Sequence, residues 1–100
     1  MDEYDVQISI EAQNDALEIF EYIFSKLENP KAADKIYSAL VEKCLKLKKF
    51  PKASSVRFRL NGKEFRLAHY QKYSIIYYID EEARVVKIRN IIYSKRNIKS

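Results

Sequence analysis

Of the 100 residues one is cysteine, one histidine, one glycine and two are proline, and there is no tryptophan. The lone Cys44 excludes a disulfide framework and any cysteine-based zinc site. With a single His69, a metal site would have to be built from carboxylates alone, and no spacing suggests one, so no metal and no cofactor is expected. No apolar run approaches the roughly 20 residues that cross a bilayer, so no membrane partner is expected. The start, Met1-Asp2-Glu3-Tyr4-Asp5, is acidic where an export signal would be basic, and the unpaired thiol suits a reducing compartment, so a cytoplasmic location is expected. No repeat, low-complexity stretch or linker divides the chain, which predicts a single domain over 1–100.

What is present is charge, unevenly placed. Residues 1–30 hold eight acids (Asp2, Glu3, Asp5, Glu11, Asp15, Glu18, Glu21, Glu28) and one base, Lys26, a balance of −7. The remaining residues hold 18 bases and six acids, a balance of +12, for the total of +5. The basic part is suited to nucleic acid or to an acidic partner segment.

Composition shifts once, near Pro51. Residues 5–10 alternate polar and apolar, which predicts a first strand, and Ser9 can cap a helix begun directly after it. Ala12, Ala16, Phe20, Ile23 and Leu27 recur at helical spacing, widened by Leu17, Ile19 and Phe24. Acids in the early turns suit the positive end of that helix. Asn29-Pro30 restarts a helix, and Ala33, Ile36, Tyr37, Leu40, Cys44 and Leu47 form its stripe. The short join predicts an antiparallel hairpin, ended by Phe50-Pro51. Then residues 65–70, 73–80 and 84–93 are runs of aromatic and branched residues. Gln71-Lys72 and Glu81-Glu82 separate them as turns, which predicts an antiparallel meander. Val56–Leu60 before Asn61-Gly62 reads either as a further short strand or as part of a loop over 52–63. The expected fold is α+β, in the order β-α-α-β-β-β, with a helical hairpin on one face of a mainly antiparallel sheet.

Simple alternation assigns faces. In the last strand Val86, Ile88 and Ile92 are expected to meet the helices, and Val85, Lys87, Arg89, Ile91 and Tyr93 to point away. Phe65 and Leu67 are expected inside, Arg66 and Ala68 on the other side. Arg66, Lys87, Arg89 and Tyr93 would then share one open face, with Lys95 and Arg96 next to it on the tail. Cations among aromatics suit RNA, because phosphates meet the charges and bases stack on the rings. Tyr73, Tyr77 and Tyr78 read as packing, Cys44 as a small filler of the second helix, and Glu64 as a charge flanking a turn.

Three stretches carry a resemblance. The helical half reads Glu18-Ile19-Phe20-Glu21-Tyr22-Ile23, Asn29-Pro30-Lys31-Ala32-Ala33 and Leu47-Lys48-Lys49-Phe50-Pro51. The sheet half reads Phe65-Arg66-Leu67 and Tyr73-Ser74-Ile75-Ile76-Tyr77-Tyr78-Ile79-Asp80. The end reads Val86-Lys87-Ile88-Arg89-Asn90-Ile91-Ile92-Tyr93-Ser94-Lys95-Arg96-Asn97. Over residues 5 to 97 this ordered set resembles the ParE branch of the RelE/ParE toxin superfamily.

The resemblance implies the toxin of a type II toxin–antitoxin pair, held inactive by a cognate antitoxin, with operator DNA reached only through that antitoxin. ParE-like members poison DNA gyrase; RelE-like members cut messenger RNA on the ribosome. A metal-free ribonuclease needs a base, an acid and cations around the phosphate. Arg66 and Arg96 match basic positions of the ribonuclease branch, and His69, Arg89 and Tyr93 complete the candidates, with Glu64 as a conceivable base. Ala68 and Ser74, however, stand where that branch carries cations. The sequence therefore favours a non-enzymatic, ParE-like gyrase inhibitor. An mRNA endoribonuclease is the alternative, and a degenerate module that only binds antitoxin or nucleic acid is a third. The residues expected to meet a partner or nucleic acid are Arg66, Lys87, Arg89, Tyr93, Lys95 and Arg96.

Overall fold

The computed structural model describes residues 3–93. The order is β1 (Asp5–Ile8), α1 (Ile10–Glu21), a π-helical turn (Tyr22–Lys26), α2 (Pro30–Lys46), β2 (Val56–Leu60), β3 (Lys63–Tyr70), β4 (Tyr73–Asp80) and β5 (Val85–Tyr93). The five strands form one sheet in the order β1-β5-β4-β3-β2. Only the β1–β5 pair is parallel. The expected α+β hairpin-on-sheet architecture is present, with one strand more than the expected order. Residues 56–60 are that strand rather than loop, because Asn61 (φ 53°) and Gly62 (φ 78°) supply the two positive φ angles of a tight hairpin turn.

Local chemistry explains the helix boundaries. Ser9 caps α1: its Oγ accepts from Ala12 N at 2.9 Å and donates to Arg89 O at 2.8 Å. Leu27 N reaches back to Tyr22 O at 3.2 Å, the wide bond of a π-turn. Glu28, at φ 51°, then reverses the chain. Asn29 Oδ1 accepts from Ala32 N at 3.1 Å, and Pro30 opens α2. Ala12 and Ala16 of α1 and Leu40 and Cys44 of α2 meet Ala68, Ile75, Tyr77, Val86, Ile88 and Ile91 of the sheet. Burial pushes the Cys44 thiol up to about 12, so it stays a neutral filler in the folded chain.

The sheet departs from simple alternation at one place that matters. Tyr77 pairs with Ile88, but Ile76 pairs with Asn90, so Arg89 is an extra residue on β5. Every side chain after it changes face. Ile91 is therefore core, 5% exposed, and Tyr93 sits opposite Tyr73, a strand residue packed on the helical side. The expected assignments of Ile91, Ile92 and Tyr93 are thus inverted.

The same bulge leaves an edge to be sealed. β1 ends at Ile8 opposite Ile88, so among the described residues the backbone of β5 beyond it has no strand partner on that side. Asp15 fills the role: its Oδ2 accepts from Ile91 N at 2.9 Å and from Asn90 Nδ2 at 3.1 Å. This acid of α1 acts as a surrogate strand. Asp15→Ala leaves a part-buried N–H without its acceptor, at a cost of about 1–3 kcal/mol. The expected result is a lower urea midpoint at unchanged slope; an unaltered midpoint would mean that water replaces the carboxylate.

Candidate partner and nucleic-acid interface

Two helices cover one face of the sheet, and among the described residues no element covers the other, the open face. The hairpin of β2 and β3 sets its composition. Phe58 pairs with Phe65 and Leu60 with Lys63, so these four side chains share the open face. Tyr78 of β4 and Lys87 of β5 pair with each other on the same face. Phe58 stacks on Phe65 with centroids 5.1 Å apart, and Tyr78 meets Phe65 edge-on at 5.3 Å. These rings leave Phe65 only 1% exposed although it points away from the helices.

Cations ride on this cluster. Lys63 Nζ lies 5.4 Å from the centre of the Tyr78 ring, and the Arg89 guanidinium lies 5.8 Å from that of Phe65. Lys87 stands beside them. Among the described residues, none of the three is paired with a carboxylate within ion-pair reach; the salt bridges seen there are Lys52–Glu81 and Arg59–Glu64. A cleft of about 680 Å³ opens next to the cluster, lined by Gln7, Ser9, Tyr78, Lys87, Arg89 and Asn90 among others. Unpaired cations around aromatic rings bind anionic, flat or carboxylate-bearing groups.

The candidates read from the sequence divide between the two faces. Lys87 and Arg89 are on the open face as expected. His69 is there too, exposed, with Nδ1 3.0 Å from Oγ of Ser74, a hydroxyl-bearing residue that is 1% exposed. Arg66 is not. It pairs with the core residue Tyr77, and its Nη1 donates to the carbonyl of Ser54 in the loop after α2. Tyr77 Oη donates to Pro51 O of the same loop at 2.7 Å. Arg66 and Ala68 are therefore on the helical side and Phe65 and Leu67 on the open side, the reverse of expectation. Tyr93 is also on the helical side, its ring 5.6 Å from Tyr73. Burial, and then the neighbouring phenols of Tyr93 and Tyr22, raise the Tyr73 hydroxyl above the usual tyrosine range. Lys95 and Arg96 lie outside the described residues. Among the described residues, no three His, Cys, Asp or Glu side chains come together for a metal ion.

Phe58, Lys63 and Tyr78 escape a reading of the sequence as site residues. The signal that could have found them is the Asn61-Gly62 turn: a two-residue hairpin turn places Leu60 opposite Lys63 and Phe58 opposite Phe65.

Residues 6–98 match the family model of the ParE toxin of the type II toxin–antitoxin system parDE. No curated protein matches the chain. Among solved structures it is similar to the RelBE2 toxin–antitoxin complex from Mycobacterium tuberculosis, with 22% identity, TM-score 0.69 and 93% of each chain covered. It is also similar to the chromosomal ParDE system from P. aeruginosa, with 16% identity and TM-score 0.73 over 93% of this chain and 98% of that one. A mutant of the E. coli toxin RelE in the free state is similar at 13% identity and TM-score 0.57, over 96% and 88%. At these identities the structural likeness shows the shared fold. The family match spans nearly the whole chain, and the chain belongs to the ParE toxin family of type II toxin–antitoxin systems.

Proposed function

We propose that this chain arrests growth by occupying DNA gyrase, without bond-breaking chemistry of its own, and that a cognate antitoxin silences it. One observation carries the non-enzymatic reading: the residues a metal-free ribonuclease would need are split between faces. Arg66 and Tyr93 are on the helical side, while Arg89 and His69 are on the open side. A phosphoryl transfer needs its base, acid and cations converged on one phosphate. Ser74 adds a neutral hydroxyl where the ribonuclease branch carries a charge. The antitoxin suited to the open face is a segment with acids for Lys63, Lys87 and Arg89 and apolar side chains for Phe58 and Leu60. Exposed ion pairs contribute only about 0–1 kcal/mol each, so apolar burial would carry most of its affinity.

Purified gyrase is expected to lose supercoiling activity as this protein is added and to regain it when the antitoxin is added. Unchanged supercoiling at excess toxin sinks the proposal.

The unpaired cations and the cleft beside Tyr78 favour a second reading, messenger RNA cleavage on the ribosome. Primer extension on messages after induction would then show cuts within codons; intact messages during growth arrest would exclude it.

A further inference from the structure

Between Glu42 and Glu64 the chain carries eight cations and no acid: Lys43, Lys46, Lys48, Lys49, Lys52, Arg57, Arg59 and Lys63. The middle of this run lies away from the open face, in the loop after α2. There a notch of about 300 Å³ is lined by Tyr4, Lys49, Phe50, Pro51, Lys52 and Ala53. Phe50 is 70% exposed, more than any large apolar residue of the described chain except Ile10.

The notch is held in shape from several sides. Tyr77 Oη and the Arg66 guanidinium hold the carbonyls of Pro51 and Ser54 from below. Tyr4 N donates to Lys48 O at 2.9 Å, which ties the β1 end of the chain to the loop. The Tyr4 ring lies 4.2 Å beneath the Arg84 guanidinium, and its hydroxyl donates to Glu81 Oε1 at 3.1 Å. Lys52 engages the Glu81 carboxylate at 2.8 Å. Lys52 and the Tyr4 hydroxyl together hold the Glu81 carboxyl below its ordinary range. Lys48 and Lys49 are exposed and, among the described residues, unpaired.

A preformed apolar notch with a cationic rim selects its occupant. The space suits one bulky apolar side chain, and the rim suits carboxylates on either side of it. A nucleic-acid base fits poorly, because its polar edge would enter a notch walled by Tyr4, Phe50, Pro51 and Ala53 and remain unpaired. The rim next to Phe50 is Lys49 and Lys52, which offer point charges, and the nearby Arg84 guanidinium is stacked on the Tyr4 ring. We propose that this notch is a docking site for an acidic linear segment of a partner protein, with a leucine or phenylalanine seated against Phe50. The assignment rests on the loop after α2 alone and does not depend on what the open face binds.

The test uses the full chain and a fluorescein-labelled peptide of roughly ten residues, with Leu-Phe at its centre and glutamates on both sides. Anisotropy is expected to show binding that weakens about tenfold in Phe50→Ala and again in Lys49→Glu, with circular dichroism melts unchanged. A peptide with glutamine in place of each glutamate is expected to bind about tenfold more weakly. Equal binding of the glutamine peptide, or undiminished binding to Phe50→Ala, overturns the proposal. So does a short DNA duplex that displaces the peptide and loses affinity in the same variants, since the surface would then be a nucleic-acid site. Supercoiling inhibition by Phe50→Ala is read separately, so a failure here is distinguishable from a failure of the gyrase proposal.

Discussion

Reversing Lys87 and Arg89 together to glutamate is expected to abolish growth arrest while moving the melting temperature by no more than about 3 °C. Both side chains stand on the face the helices leave free, and neither is ion-paired within the described residues. The Arg89 side chain contributes to the fold through its place over Phe65, a contact of about 0.5–1 kcal/mol, and the bond from Ser9 to its carbonyl is kept on substitution. A target that covers this face would desolvate both charges. Each reversal then costs about 2–5 kcal/mol of binding, and the pair at least about a thousandfold in affinity. Arg89→Lys keeps the charge and loses the planar fork, so it should fall between wild type and the double reversal. Induction in a growing culture, with melts of the purified variants, checks this. Continued arrest by the double variant at normal expression would mean that the open face is not where the toxin meets its target.

Tyr77→Ala is expected to be the most destabilising single change in the sheet, about 3–5 kcal/mol, against a total of about 5–15 for a domain of this size. The ring is fully buried between sheet and helices. Its hydroxyl also holds Pro51 O, so Tyr77→Phe should still cost about 1–2 kcal/mol by leaving a buried carbonyl unmet. Arg66→Ala, which frees Ser54 O beside it, should cost about 1.5–3 kcal/mol. Urea unfolding measures all three. The Arg66 result also bears on function. A structural Arg66 loses stability first, and activity falls only with the unfolded fraction; a catalytic Arg66 would lose activity at full stability. Burial raises the Tyr77 hydroxyl above the usual tyrosine range. Its contribution is therefore complete below the unfolded tyrosine value of about 10 and is lost as the pH rises through the higher folded value.

Much of the architecture was legible because its signals are local. Ser9 and Asn29-Pro30 mark helix starts through hydrogen bonds made within three residues. The meander turns and the aromatic runs lie in sequence beside the strands they define. Of the hairpin stripes, Ala12, Ala16, Ile23, Ala33, Leu40, Cys44 and Leu47 are buried as read, whereas Leu17, Phe24 and Leu27 are exposed. Lys87 and Arg89 were found as open-face cations because both precede or occupy the bulge, where alternation from Val86 and Ile88 still holds.

What misled was phase. Alternation says that Arg66 and Phe65 lie on opposite faces, but not which face receives the helices. Phe65 looks like core because it is aromatic, and it is buried, by Phe58 and Tyr78 on the far side of the sheet. Arg66 looks like surface because it is charged, and it spans the rim of the core to reach Ser54. Neither residue type reveals the partner that lies across the sheet or in the next loop.

By itself, then, the sequence determined the two helices and their caps, the meander, the uneven charge and the family, since each is written in neighbouring residues or in their order along the chain. Only the tertiary structure decided that Arg89 is an extra residue in β5, that Tyr93 and Arg66 turn towards the helices, and that Asp15 stands in for a strand. The physical reason is that a bulge and a covered face are properties of a pairing: the register between β4 and β5, and the side on which α1 and α2 close, are set by contacts between segments as far as 80 residues apart, as between Ser9 and Arg89.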